Sequence, residues 1–400
     1  MLAVPIHNEG VDFLESDEQG LLRQSVHKIA AKYGHQYYAD EARHGRKADA
    51  LWRELAEAGF LGVNLPEEFG GAGLGIYELA IVCEELARVG APLLLLIVSP
   101  AICGTIIAEY GTPAQKQEFL PGLAHGKHKM AFAITEPDAG SNSHEIATRA
   151  VRVAGGYELT GTKYFISGYD EAEHVLVVAN TGVDPESKRA RLSLFVVDAG
   201  SPGLSATRIP VEIHSPEKQF TLFCDKVVVP DTRLIGQEGS GLKQVFTGLI
   251  PERITGAAIA NGLGLYALNK AAQYAREREV WKVPIGSHQG ISHPLAKAKI
   301  EVEQARLMTC KAAWLYDAGH DAGEAANMAK YAAAEAGLGA LDQAIQTHGG
   351  NGLATEYGLA DLWGMARLLR TAPVSREMVL NYVAHHSLKL PRSYGERQGA

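Results

Sequence analysis

The sequence has few cysteines, and none lie at a spacing typical of a disulfide framework or a metal site. The four cysteines of the 400-residue chain, Cys83, Cys103, Cys224 and Cys310, form no CxxC pair. A structural zinc site and a disulfide-stapled fold are therefore not supported, and a reducing compartment, the cytoplasm, is expected. The fifteen histidines include no HxxxH or HExxH spacing, so we predict no catalytic metal.

Long apolar runs and an excess of basic residues are also missing. The longest apolar run covers residues 93–98, far short of the roughly 20 residues that a membrane span needs. The first ten residues lack the basic and apolar pattern of a secretory signal, so we expect no membrane span. The formal net charge is −8 without runs of like charge, and no nucleic-acid partner is expected. No GxGxxG or GxxxxGK[ST] motif joins a strand to a helix, so classical dinucleotide and P-loop folds are not supported.

The composition and the pattern along the chain predict a globular protein of several domains. Hydrophobic residues make up 46% and charged residues 21%, which excludes a disordered chain. Residues 15–125 show helical spacing, residues 130–230 short β-branched and aromatic runs, and residues 241–387 Ala-rich helical segments. We predict an α+β multidomain protein: an N-terminal all-α domain (1–127), a middle antiparallel β-barrel or sandwich domain (128–240) and a C-terminal four-helix-bundle domain (241–400).

Two short segments beside predicted strands have both a structural and a functional interpretation. Residues 135–142 read TEPDAGSN, a loop of small residues and hydroxyls that could bind the polar edge of a cofactor. An ordinary turn between strands explains the same residues. Residues 165–168, FISG, could stack an aromatic ring on a ligand or simply form a buried strand end.

Pro251-Glu252-Arg253 is predicted to open a long helix. A glutamate in the first turn stabilises the helix dipole by about 0.3–1 kcal/mol, and that role alone would explain Glu252. Burial beside Leu249 and Ile254 would instead raise the pKa of Glu252 and make it a general base. From the residues alone the structural interpretation is favoured.

Residues 346–352, QTHGGNG, follow another predicted helix. A glycine directly after a helix is the usual stop, which explains one of the three glycines. The others indicate backbone that a phosphate can approach closely. His348 is expected to be a packed or capping histidine rather than a catalytic group.

Taken together, these segments resemble the acyl-CoA dehydrogenase family in their order along nearly the whole chain. The matching segments are 65–73 (LPEEFGGAG), 84–87 (EELA), 111–116 (GTPAQK), 135–141 (TEPDAGS), 227–230 (VVVP), 239–241 (GSG), 252–253 (ER), 284–286 (PIG) with Gln289, and 346–352. The TEPxAGS loop is a specific signature of the family. The resemblance implies noncovalently bound FAD, an acyl-CoA substrate, a homo-oligomer (a dimer of dimers, or homotetramer) and an electron-transfer flavoprotein as partner, in fatty acid β-oxidation.

The resemblance also implies roles for individual residues. The cofactor-binding positions are Phe132, Ile134, Thr135, Gly140, Ser141, Phe165, Ile166, Ser167, Arg278, Trp281, Gln289, Gln346, Gly349, Gly350, Ser375 and Glu377. The substrate-binding positions are Ser141, Arg253 and Val374. Arg278, Gln289, Gln346, Gly349 and Gly350 are implied to hold the adenosine-diphosphate part across a subunit interface, where guanidinium and glycine N–H groups suit a pyrophosphate.

The reaction that the resemblance implies is α,β-dehydrogenation of an acyl-CoA to the trans-2-enoyl-CoA. A carboxylate takes the α-proton while hydride passes to flavin N5. Most of the family carries this carboxylate in a YEGT-like segment, where this sequence has Ala372-Pro373-Val374-Ser375. Members similar to isovaleryl- and long-chain acyl-CoA dehydrogenases place it at the position of Glu252, which makes Glu252 the predicted catalytic base.

Pro373 is the second departure from the family pattern, because proline has no backbone N–H to donate to the thioester oxygen. Losing one such donor typically costs about 2.7–4 kcal/mol, so either another donor acts or the loop is displaced. Two other functions stay open at this point. One is an acyl-CoA oxidase or flavin monooxygenase on the same fold, and the other is a non-catalytic flavin-bearing binding protein.

Overall fold

The structure is a computed structural model that describes residues 15–186 and 189–391. Its first part is helical: α1 (Asp17–Arg43), α2 (Asp49–Glu57), α3 (Ile76–Arg88), α4 (Thr105–Tyr110) and α5 (Pro113–Ala124). Ser16 caps α1 and Thr112 caps α5, each accepting a hydrogen bond from the backbone N–H three residues later. A buried π-helical segment, Ile97–Gly104, precedes α4 and includes the end of the longest apolar run.

The middle part is a β-sheet. Its strands are β1 (Met130–Ala133), β2 (Arg149–Val153), β3 (Gly156–Ser167), β4 (His174–Val183), β5 (Ala190–Asp198), β6 (Leu204–Ile209), β7 (Gln219–Pro230) and β8 (Leu234–Ile235). They pair in the order β6-β7-β3-β2-β4-β5-β8, and β1 joins beside β4. Most pairings are antiparallel as predicted, but β4 pairs with β1 and with β2 in parallel, so the sheet is mixed.

The central strands of this sheet are covered on both faces. In β4, Leu176 and Val178 pack into a core shared with the helices, whereas Val175 and Val177 pack into a second core with residues of β3 and β7. Alternating side chains point to opposite faces of a strand, so each strand serves both cores. The helical domains therefore pack on one face of the sheet. The opposite face forms a second apolar core.

The last part is a helical bundle. It consists of α6 (Gly241–Glu277), a small hairpin of β9 (Glu279–Val280) and β10 (Val283–Pro284), α7 (Gln289–Asp317), α8 (Gly323–His348), α9 (Trp363–Thr371) and α10 (Arg376–Tyr382). Among the described residues, no helix combines the length and apolar character that crossing a membrane requires. The predicted order of helices, sheet and helical bundle is confirmed.

Side-chain contacts fix the directions of the three long helices. The amide of Asn261 on α6 donates a 3.0 Å hydrogen bond to Thr309 on α7, and Tyr274 further along α6 stacks on His348 of α8 with ring centroids 4.2 Å apart. Gly264 of α6 lies against both Val302 and Gly337. α6 and α8 therefore run parallel and α7 runs antiparallel, so the end of α6, the start of α7 and the end of α8 meet at one end of the bundle.

Candidate active site

Glu252 lies in the interior of α6 rather than at a helix start. The prediction that Pro251 opens the helix is wrong, because α6 begins at Gly241 and continues through the proline. The hydroxyl of Thr255 donates a 2.8 Å hydrogen bond to the Pro251 carbonyl oxygen. Since the dipole effect is confined to the first turn, it does not explain a glutamate at this position.

The Glu252 side chain is partly buried, and burial raises its pKa to about 7. The cationic side chains of Arg253 and Lys330 oppose that rise. A carboxyl group with a pKa near the working pH has the property required of a general base, since it is partly ionised and still basic.

Two segments converge on the face of α6 that carries Glu252. Gly256 lies one helical turn after Glu252 and therefore on the same face. A Cβ atom at Gly256 would lie 3.8 Å from Cδ of Pro373 and 4.0 Å from Cδ1 of Ile97. The π-helical segment and the loop 372–375 thus both contact this face of α6 one turn after Glu252.

Cys103 connects this face to the β-sheet. Its thiol donates a long hydrogen bond, 3.7 Å, to the carbonyl oxygen of Ala131 in β1. Burial raises the pKa of Cys103, and the nearby charge of Glu252 adds to the effect. Phe132 follows Ala131 directly, so the predicted base and the first predicted cofactor positions belong to one region.

The loop that starts at Thr135 is fixed on the end of β3. The N–H of Tyr164 donates a 2.8 Å hydrogen bond to the Thr135 carbonyl oxygen, and Lys163 Nζ donates to the carbonyl of Ile134 at 3.1 Å. Glu136 accepts from Lys163 Nζ and from two backbone N–H groups, those of residues 147 and 148. Gly140 and Ser141, further along the loop, are exposed.

Phe165 is exposed at the end of β3, whereas its neighbour Ile166 is buried. The phenyl side chain is 50% exposed and its φ is +56°, a conformation that costs energy in a residue with a Cβ. Ser167 Oγ donates a 3.0 Å hydrogen bond to the side chain of Gln219. The strand end is therefore only partly buried, and it presents an aromatic ring that a flat ligand would cover.

Six further predicted cofactor positions lie at the far end of the bundle. They are Arg278, Trp281, Gln289, Gln346, Gly349 and Gly350, all of them exposed. A Cβ at either of the two glycines would meet no described heavy atom within 4 Å. His348 is packed as predicted, because Nδ1 lies 2.8 Å from the Ala344 carbonyl oxygen and its ring stacks on Tyr274.

One subunit cannot bring the two groups of residues to the same place. Arg278 follows Glu252 by 26 residues on one helix, which at 1.5 Å per residue separates them by about 39 Å. Glu252 and Arg278 are therefore too far apart to belong to one site of a single subunit.

Three family models match the chain. The "Acyl-CoA dehydrogenase, N-terminal domain" matches residues 16–127, the middle domain residues 131–217 and the C-terminal domain residues 239–388. The chain belongs to the acyl-CoA dehydrogenase family. Acyl-CoA dehydrogenase FadE12 of Mycobacterium tuberculosis is 56% identical over 96% of this chain and 99% of its own.

Solved structures agree with this assignment. Butyryl-CoA dehydrogenase from Megasphaera elsdenii superposes with a TM-score of 0.89, at 28% identity over 94% of this chain and 100% of its own. The FAD complex of PigA also gives a TM-score of 0.89, at 27% identity over 95% of this chain and 99% of its own. The fold is thus that of the acyl-CoA dehydrogenases.

The two regions present different chemical groups. The region around Phe165 offers an exposed ring and hydroxyls, and the region around Arg278 offers a guanidinium and open glycine backbone. The loop 372–375 continues into α10 through Ser375, whose Oγ accepts a 3.3 Å hydrogen bond from the N–H of Met378. Glu377 is exposed in the first turn of α10.

Sequence reasoning missed three residues near Glu252. Lys330 is buried on α8 and its ammonium donates a hydrogen bond to the carbonyl oxygen of Val374. Ile97 and Gly256 shape the space beside the carboxylate. None of the three belongs to a motif, and only the packing of distant segments brings them to the site.

Proposed function

We propose that the protein is an FAD-dependent acyl-CoA dehydrogenase in which Glu252 removes the α-proton of a saturated acyl-CoA, giving the trans-2-enoyl-CoA. The observation that carries the proposal is the position of Glu252. It is partly buried on a face of α6 flanked by Ile97 and Pro373, with its pKa raised to about 7. The family membership supplies the reaction class.

The surroundings of Glu252 support proton removal from carbon. The α-proton of a thioester is weakly acidic, so a base needs a high pKa and a site from which water is excluded. Ile97 is buried, and Pro373 adds a second apolar wall. A pKa near 7 lets the Glu252 carboxylate be present at neutral pH and still be basic enough to accept a proton.

We assign the ring-binding end of FAD to residues of β1, its following loop and the end of β3. These are Phe132, Ile134, Thr135, Gly140, Ser141, Phe165, Ile166 and Ser167. When bound, FAD supplies the two-electron acceptor that the reaction requires. Ser141, Arg253 and Val374 are proposed to contact the substrate, and Ser375 and Glu377 the cofactor.

We assign the diphosphate end of FAD to a second copy of the chain. Arg278 lies about 39 Å from Glu252 in the direction of α6, too far to complete the same site. We assign Trp281, Gln289, Gln346, Gly349 and Gly350 to the same end of the bundle as Arg278. A homo-oligomer, a dimer of dimers in our proposal, would bring them to the site of a neighbouring subunit. The domain division 1–127, 128–240 and 241–400 is part of this proposal.

An electron-transfer flavoprotein is the proposed partner that reoxidises the cofactor, with β-oxidation of fatty acids as the setting. Cytoplasmic location is supported by the cysteines, since Cys83, Cys103, Cys224 and Cys310 are all free.

The test is anaerobic mixing of the purified yellow protein with a panel of saturated acyl-CoAs. We expect bleaching of the flavin absorbance and a product two hydrogens lighter by mass. A protein that takes up no FAD, or that bleaches with no acyl-CoA, would contradict the proposal. Rapid peroxide formation on admission of oxygen would identify an oxidase instead.

A further inference from the structure

Lys330 is a buried lysine that has no role in the reaction proposed above. It lies on α8 with 2% of its surface exposed, and its ammonium donates a hydrogen bond to the carbonyl oxygen of Val374. Lysines are seldom buried unless they are paired, because taking the charge out of water is costly. The groups that surround Lys330 therefore indicate its role.

The charged groups around Lys330 come from three helices. Glu252 and Arg253 approach from α6, Glu335 from its own helix α8, and Glu377 from α10. Burial and Arg253 lower the pKa of Lys330 to about 8, against the opposite influence of the carboxylates. The group is thus mostly cationic at pH 7. The thiol of Cys103 and the phenol of Tyr382 lie near Glu252 and Arg253, respectively.

The hydrogen bond from Lys330 to Val374 is important because the residue before Val374 is a proline. Pro373 cannot donate a backbone hydrogen bond, so the loop cannot be held in the site through an N–H at that position. The Val374 carbonyl, bonded to Lys330, anchors the loop to α8 directly after the proline. An ammonium has three donors, which leaves capacity beyond this single bond.

We propose that Lys330 is a positioning residue: its buried ammonium anchors the 372–375 loop through the Val374 carbonyl and supplies a positive charge beside Glu252. The inference rests on the proposed role of Glu252 as the base. An adjacent cation favours the carboxylate over the carboxylic acid, so removing the charge raises the pH at which Glu252 ionises.

The experiment titrates Glu252 itself in the FAD-containing protein without substrate. The infrared absorption of the protonated Glu252 carboxyl is isolated by subtracting the spectrum of Glu252→Gln, and it is followed from pH 5 to 9. In Lys330→Gln, whose amide still donates to Val374 but carries no charge, we expect the midpoint to rise by about one pH unit. Lys330→Arg keeps the charge and should keep the midpoint.

The rate of flavin bleaching by acyl-CoA distinguishes the anchoring role of Lys330 from the effect of its charge. Lys330→Gln should lose roughly fivefold in rate at pH 7 and little at pH 9, as a one-unit shift of a group near pH 7 predicts. Lys330→Met loses the hydrogen bond as well and should be slower at both pH values. If Lys330→Met does not fold, Lys330→Gln still decides the effect of the charge through the Glu252 midpoint.

The matched control is Lys270→Gln. Lys270 also donates to a backbone carbonyl, that of Tyr357 at 2.7 Å, but it lies 18 residues from Glu252 on α6, about 27 Å away. An unchanged Glu252 midpoint in Lys330→Gln would overturn the inference, as would an equal shift in Lys270→Gln. Because the infrared titration needs no turnover, failure of acyl-CoA to bleach the flavin would count against the proposed function alone.

Discussion

Lys163 Nζ donates a 2.8 Å hydrogen bond to Glu136 Oε1, and the lysine side chain has no exposed surface. The pair joins β3 to the loop that begins at Thr135. Burial alone would raise the pKa of Glu136, but Lys163 and two backbone donors bring it below its ordinary value. The ionised pair therefore holds the proposed ring-binding region in place.

Replacing Lys163 with Met should leave the Glu136 carboxylate buried without its cation. Breaking a buried pair in this way typically destabilises a protein by about 3–5 kcal/mol, which urea unfolding of the FAD-containing protein would measure. The control is Lys297→Met in the exposed pair Lys297–Glu301 on α7, where a change of at most about 0.5 kcal/mol is expected. Equal effects of the two substitutions would show that the buried pair has no special role.

The pKa of Glu252 also predicts a change in stability that does not involve catalysis. A folded pKa of about 7 against an ordinary 4.5 means that the folded state binds the proton more tightly, so stability falls as the pH rises from 4.5 to 7 and stays low above it. Glu252→Gln removes this penalty. It should raise the free energy of unfolding by about 3 kcal/mol at pH 8 relative to the unchanged protein, and by less at pH 5. A gain that is independent of pH would contradict the raised pKa.

Gly256 offers a test of the space beside Glu252. Gly256→Ala places a methyl group in ordinary contact with Pro373 and Ile97, so stability should rise by about 0.5–1 kcal/mol from the helix preference alone. Because the methyl group enters the proposed site, kcat/KM for acyl-CoA should fall. Gly262→Ala on the same helix is the control, since its methyl would lie 2.3 Å from the Glu84 carbonyl oxygen and destabilise the fold. Gly256→Ala with unchanged kinetics for every acyl chain would remove this face from the substrate site.

A site shared between two subunits predicts that two inactive variants restore activity when they are combined in one oligomer. Glu252→Gln and Arg278→Ala are each expected to be inactive, the first for lack of the base and the second through weak FAD binding. In oligomers reassembled from an equal mixture, about a quarter of the sites would combine Glu252 of one subunit with Arg278 of the other. Native gel separation and flavin bleaching would measure this activity. Mixed oligomers without activity would place both residues in sites of single subunits.

Much of the fold could be predicted from the sequence because periodicity records local structure. The change from helical spacing to short β-branched runs and back is visible, and the runs predicted over residues 130–230 include β4. The parallel pairing of β1 and β2 with β4 was not predictable, since pairing between strands distant in sequence leaves no periodic signal. Pro251 misled the prediction of a helix start, because a proline at the first turn and a proline tolerated inside a long helix look alike in sequence.

Residues of the proposed site that belong to sequence motifs could be identified from the sequence. Residues that only packing brings to the site could not. The TEPDAGS loop and Glu252 were identified through the family resemblance, and residues alone left Glu252 as a structural carboxylate. Lys330 is one lysine in an Ala-rich helix, and its contact with Val374 spans 44 residues. Only the folded chain reveals that contact.

The rate of anaerobic flavin bleaching as a function of pH, measured by stopped flow for the unchanged protein and for Glu252→Gln, tests the role of Glu252 most directly. With the base at a pKa of about 7, the rate should rise through that pH and fall about tenfold per unit well below it. Glu252→Gln should keep its FAD and show no bleaching at any pH. Bleaching of that variant at the unchanged rate would contradict the central claim that Glu252 removes the α-proton.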